Sequence, residues 1–100
     1  MTIWNNSKMT TIYFSNSDAL ENSDCVVKIE KKKILVEYED NGIVQYVGEE
    51  RGLGHFDLSC PSVSGKASLH MFANSEILEG SWIEGSYRGM WKIKLAHAKH

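Results

Sequence analysis

Glu84 stands two residues after Trp82 and seven before Trp91 in the stretch GSWIEGSYRGMW, residues 80–91. A carboxylate set between two indoles has the makings of a recognition site. The acid accepts hydrogen bonds or faces a positive charge, and the aromatic faces attract a cation or a flat ring. Burying that carboxylate is costly unless it is paired, hydrated or bonded to a ligand. Arg88, four residues on, offers either a surface ion pair or a gate. Tyr46 and Met71 share the apolar parity of their segments and would serve as walls. The competing reading is that the indoles only fill a core.

Other residue types capable of chemistry do not assemble into a reaction centre. Ser59, Cys60, His55 and His70 are present, but alternation turns Cys60 away from His55, and a thiol without a polarising neighbour is a poor nucleophile. If the segments carrying His55 and His70 pair, the two imidazoles meet on the outer face. Only Asp57 is at hand to complete a set, whereas structural zinc takes four ligands, so no metal is expected. His97 and His100 fall in a terminal segment, 97–100, read as a mobile tail. GEERGLG (48–54) has phosphate-loop glycines, but a strand follows instead of the helix such a loop requires. KIEKKK (28–33) reads as a solubilising hairpin tip.

These side chains need a scaffold, and the scaffold is legible as alternation. From Val26 onward apolar residues recur at every second position, the period of a half-buried strand. Strands are expected near 10–15, 25–31, 33–39, 43–49, 54–60, 66–73, 77–84 and 89–96. Between them stand the turn-formers DNG, RGLG, PSVSG, NSE and GSYRG. Residues 16–24, NSDALENSD, read as a polar loop. No segment holds helical spacing for long.

The 33–39/43–49 hairpin allows a test of register. A two-residue loop at Asn41-Gly42 would set Glu37 opposite Tyr46. A three-residue loop, Asp40 to Gly42 with glycine at positive φ, pairs Tyr38 with Val44, Val36 with Tyr46 and Glu37 with Gln45. Only the second sorts apolar from polar, so it is the expected one. The same sorting puts Phe56, Leu58 and Cys60, then Ala67, Leu69 and Met71, then Trp91, Ile93 and Leu95 on one inward face. Trp82 and Glu84 share it, with Gly80 leaving space beside Trp82. Phe72, Ile77, Ile83 and Met90 take the outward parity. The fold expected is all-β: an antiparallel up-and-down meander of about eight short strands closing into a small barrel, as one domain over residues 1–100. Closure removes exposed edges; a half-barrel dimer is the open alternative.

The segments YVGEERGLGHFDL, GKASLHMF and LEGSWIEGSYRGMWKIKL resemble the closing strands of small bacterial calycin-like barrels, in the style of avidins and lipocalins. They are also similar to the barrel sensors of bacterial cyclic-nucleotide defence systems. The likeness spans about residues 43–96. It implies a closed meander barrel; no residue-level ligand motif of avidins or lipocalins carries over.

Bulk properties narrow the partners. The chain has 100 residues, 42% hydrophobic and 24% charged, with net charge −2. That balance gives no broad attraction to nucleic acid or anionic lipid, and no stretch approaches the ~20 apolar residues of a membrane helix. With no leader-like start, a cytoplasmic location is expected, with Cys25 and Cys60 as reduced thiols. The expected function is a non-enzymatic small-ligand-binding barrel without cofactor, taking an aromatic or cationic ligand at Trp82, Glu84, Trp91, Tyr46, Met71 and Arg88. The alternative is a protein-interaction or homo-oligomeric (dimeric) assembly module with a filled core.

Overall fold

A computed structural model describes residues 2–13, 20–40, 42–96 and 98–99. The chain forms β1 (Thr2–Tyr13), β2 (Leu20–Glu30), β3 (Lys33–Glu39), β4 (Ile43–Gly52), β5 (His55–Cys60), β6 (Gly65–His70), β7 (Ile77–Glu84), β8 (Tyr87–Lys94) and the two-residue β9 (Ala98–Lys99). A 3-10 turn, Pro61–Val63, links β5 to β6. Each of β2 to β7 pairs antiparallel with the next, and β1 pairs with both β2 and β8. The eight-stranded meander therefore closes on itself as a barrel.

The β3–β4 hairpin adopts the register that sorts apolar from polar. Tyr38 opposes Val44, Val36 opposes Tyr46, and Glu37 opposes Gln45. On the wet face the Gln45 amide donates to the Glu37 carboxylate at 2.7 Å. The turn closes through the Asp40 N–H donating to Gly42 C=O, with Gly42 at φ 129°.

Two segments depart from the sequence reading. β1 begins at Thr2, well before residue 10, because a bulge disguises its periodicity. Trp4 pairs with Val27 but Ser7 with Cys25, so three residues of β1 span two of β2. The slip carries Ser7, Met9 and Thr11 inward, and the polar run NNSK hides them. The buried Ser7 hydroxyl donates to Trp4 C=O and accepts the Ala96 N–H, which fastens the bulge. Residues 20–24, read as loop, belong to β2. Their outward side chains pair with polar ones on β1: Thr10 with Asn22, and Lys8 with Asp24. At the other terminus β9 pairs with Ile3 and Trp4 in the segment read as a mobile tail; His97 and His100 lie outside the described residues.

The inward rows meet as one core. Val27, Val36, Tyr46, Leu69, Leu78, Trp82, Trp91 and Ile93 are all but inaccessible to water. The Trp82 and Trp91 rings stack at 6.2 Å with 26° between planes, and Tyr46 meets Trp91 edge-on at 4.9 Å. Contacts of this kind contribute about 0.5–1.5 kcal/mol each beyond burial. Gly80 does not open room beside Trp82. It lets β6 approach, for a Cβ there would fall 1.8 Å from Ser68 C=O.

A candidate site at the acidic mouth of the barrel

One end of the barrel, where β3 turns into β4 and β7 into β8, finishes in polar side chains. Thr11, Ser23, Tyr38, Glu39, Asp40, Glu84 and Trp91 line a depression of about 60 Å³. Glu84 comes there because β7 keeps Leu78, Trp82 and Glu84 on one parity, with Glu84 in register with Gly65 and Tyr87 at the strand's last step.

Beneath the mouth lies the Tyr46 hydroxyl, wholly buried. Gly65 makes its space: a Cβ at that position would sit 2.0 Å from the phenol oxygen. The hydroxyl has no partner at full hydrogen-bond geometry. The group it points toward is the Glu84 carboxylate. Both groups titrate above their ordinary values, burial being the largest cause for each. Burial pushes the Tyr46 phenol well up, and the nearby Glu84 charge adds to it, so Tyr46 remains a proton donor. Burial also pushes the Glu84 acid up, the Tyr46 hydroxyl draws it partly back, and repulsion from Asp40 raises it again. Among the described residues no lysine, arginine or histidine lies within ion-pair distance of Glu84. The site thus combines three carboxylates, a buried hydroxyl donor and the aromatic rings of Tyr38 and Trp91, whose centroids lie 6.0 Å apart.

The residues expected to form the site separate into three groups. Glu84, Tyr46 and Trp91 come together at or beneath the mouth. Trp82 lies deeper and is covered by its neighbours, so neither of its faces is open to a ligand ring. Arg88 and Met71 lie elsewhere. Arg88 opposes Ile83 on the outer face, exposed, without an ion pair to Glu84. Met71 follows β6 at the opposite end of the barrel, beside Leu53 and Phe72. Asp40, Tyr38, Thr11 and Ser23 were not singled out from the sequence. Tyr38 already had the inward parity and Asp40 stands two residues beyond it, which was the available signal. Thr11 and Ser23 lay in or beside segments whose alternation the bulge obscures.

Elsewhere, Cys25 and Cys60 are free and buried, and burial pushes the Cys25 thiol up to about 12. No helix among the described residues is long and apolar enough to cross a membrane. Comparison of the chain with known protein families, curated proteins and solved structures returns no match. The eight-stranded antiparallel meander barrel is the class this chain belongs to by its own architecture.

Proposed function

We propose that this protein is a non-enzymatic binding module, a small calycin-like barrel whose acidic mouth takes the cationic, amine-bearing end of a ligand. One observation carries the reading: Glu84, half-buried, faces Asp40 and the buried Tyr46 hydroxyl with no cation beside it among the described residues. A carboxylate so placed gains from any cation that restores its lost hydration. An ammonium suits these acceptors, since its N–H groups can donate to the carboxylates of Glu84 and Asp40. Size limits what enters. A water occupies about 30 Å³ in the liquid, so a 60 Å³ depression admits a head group while the rest of the ligand stays outside. A ring stacked between the indoles has no room, because the indoles stack on each other. Two free buried thiols support a reducing, cytoplasmic setting.

Titration with methylammonium and butylammonium chloride, followed by NMR at Tyr46 and at the Trp91 indole, tests the reading. Saturable shifts that vanish in Glu84→Gln are expected. Shifts identical in the variant, or none with either amine, would overturn it.

A second reading, a protein-interaction or self-assembly module, is favoured by the opposite end. There Leu53 is 98% and Phe72 86% exposed, flanking a hollow of about 300 Å³ lined also by Met71 and Ile77. The outward residues Phe72, Ile77, Ile83 and Met90 do not form one patch. Ile77 and Ile83 are six residues apart on β7, about 20 Å at ~3.3 Å per residue, and only the first adjoins Phe72. Sedimentation over a concentration series, with Leu53→Asp and Phe72→Asp beside the parent, separates the readings. Association lost in both variants supports this second one; a strict monomer throughout counts against self-assembly.

A further inference from the structure

We propose that His55 and His70, side by side on the outer face of β5 and β6, form a two-imidazole site for a divalent late transition-metal ion such as Zn²⁺ or Ni²⁺. The two residues are direct cross-strand partners, and their rings lie edge to face with centroids 4.3 Å apart. Residues so opposed have Cβ atoms about 4.5–5.5 Å apart. Two imidazoles projecting from that base reach a common point about 2.0–2.1 Å from one nitrogen of each, the distance zinc takes from histidine. Neither ring is locked in the core: His55 is half-buried and His70 exposed.

The backbone beneath is held firmly. Gly54, at φ 73°, brings the β4–β5 turn so close to β6 that a Cβ there would lie 2.2 Å from Met71 C=O. The Met71 N–H donates to Gly54 C=O at 2.8 Å, and the Gly54 N–H to the Glu50 carboxylate at 2.9 Å. The histidines that follow and precede these contacts are therefore presented in a fixed register.

Two carboxylates stand on the strands beside the pair. Asp57 Oδ1 stands 3.4 Å from His55 Nε2, which leaves Nδ1 as the metal-binding nitrogen. A carboxylate on the far nitrogen is the usual partner of a metal-bound histidine, since it fixes the ring and raises its basicity. Asp57 is itself anchored by the Ser68 hydroxyl, which donates to it at 2.9 Å. Glu79 opposes His70 from β7 and adds negative charge. Among the described residues no three His, Cys, Asp or Glu side chains are grouped to enclose a metal. The site is accordingly an open one, with water completing the coordination, which differs from the enclosed structural zinc that the sequence argues against. It lies at the other end of β5–β6 from the mouth and does not depend on the amine reading.

Calorimetric titration of chelator-treated protein with zinc chloride and with nickel chloride tests the proposal, in a background where His97→Ala and His100→Ala remove the terminal imidazoles. One ion per chain is expected. His70→Ala and His55→Ala should each weaken binding by more than about 100-fold, and Asp57→Asn by the roughly 10–100-fold typical of an orienting partner. NMR of the imidazoles should show His55 and His70 shifting together in the parent. Circular dichroism matching the parent confirms that the variants fold. Binding that survives both histidine substitutions, no binding in the background protein, or shifts confined to other residues would overturn the site.

Discussion

At the end of the barrel where β3 turns into β4, the inward rows finish in Tyr38, Asp40 and Glu84 over the Tyr46 hydroxyl. At the other end they finish in Met71, with Leu53 and Phe72 standing nearly bare in water above it. The same alternation builds both, so the difference arises only in the last residue or two of each row. An all-apolar row that stops one step short of the rim leaves a dry plug. A row that carries a carboxylate on its final step brings charge to the lip of that plug, where it is half desolvated. In a barrel this narrow the bore is structural, and the two ends differ only in what the rims present.

The comparison can be broken most forcefully in the core. Trp91→Ala should cost about 3–5 kcal/mol in urea unfolding, because the indole is stacked on Trp82 and edged by Tyr46 and Tyr38. Phe72→Ala, at the bare end, should cost under about 0.5 kcal/mol. Similar losses from the two would mean that the exposed ring belongs to the core.

Next in size is the β2–β3 turn, which lies at the apolar end. Lys31 and Lys32 both occupy left-handed backbone, at φ 48° and 69°, a conformation costing about 1–2 kcal/mol for an ordinary L-residue. This two-residue hairpin geometry is one that Asn-Gly satisfies without strain. The double change Lys31→Asn, Lys32→Gly should raise stability by about 1 kcal/mol or more, read from the same urea curves. An unchanged midpoint would show that the turn stores no strain.

A smaller effect is expected at the seam. Ser7→Ala leaves the Ala96 N–H without its acceptor and should cost about 1 kcal/mol, measurable as faster hydrogen exchange at Ala96 as well as a lower midpoint.

The acidic mouth gives the smallest and most specific effect. The Glu84 acid is raised in the folded state, so its contribution to stability is complete below the ordinary carboxylate value of 4.5. It is lost as pH rises through the higher folded value. Glu84→Gln should remove that decline and stabilise the protein at neutral pH by under about 1 kcal/mol, since water still screens a half-exposed carboxylate. A variant that loses stability at neutral pH would show that Glu84 is held by a favourable pairing. Saturating butylammonium should reproduce the direction of the substitution in the parent and have no effect in the variant.

Much of this architecture could be read from the residues because the core is sorted by parity. The Val36–Tyr46 and Tyr38–Val44 pairs followed from the β3–β4 hairpin, and the approach of His55 to His70 from pairing of β5 with β6. What escaped reading did so for local reasons. A bulge shifts the phase of β1 by one residue, so Ser7, Met9 and Thr11 do not alternate with Trp4. The first turns of β2 display asparagine and aspartate outward, where polar partners on β1 receive them. For the mouth, Glu84 and Tyr46 were recognisable as inward polar groups. Met71 reads as part of the same cavity because parity reports which face a residue takes, but not how far along the barrel it lies. Arg88 is near Glu84 in sequence, although neighbours across a two-residue turn need not share a face.

The seam between β1 and β8 also governs when the molecule can exist as a barrel. Lys8 meets Lys94 and Tyr13 meets Gly89, so the first strand borders the eighth across nearly the whole chain. Hairpins β2 to β8 form through short-range pairings. The final ring closure joins segments separated by some of the longest intervals in the sequence, and such closures are slow and leave edges bare meanwhile. During synthesis β1 must therefore wait, partnered on one flank only, until the residues of β8 have emerged. In that interval the charge of Lys8, on the edge that later meets β8, discourages that edge from pairing with a stranger.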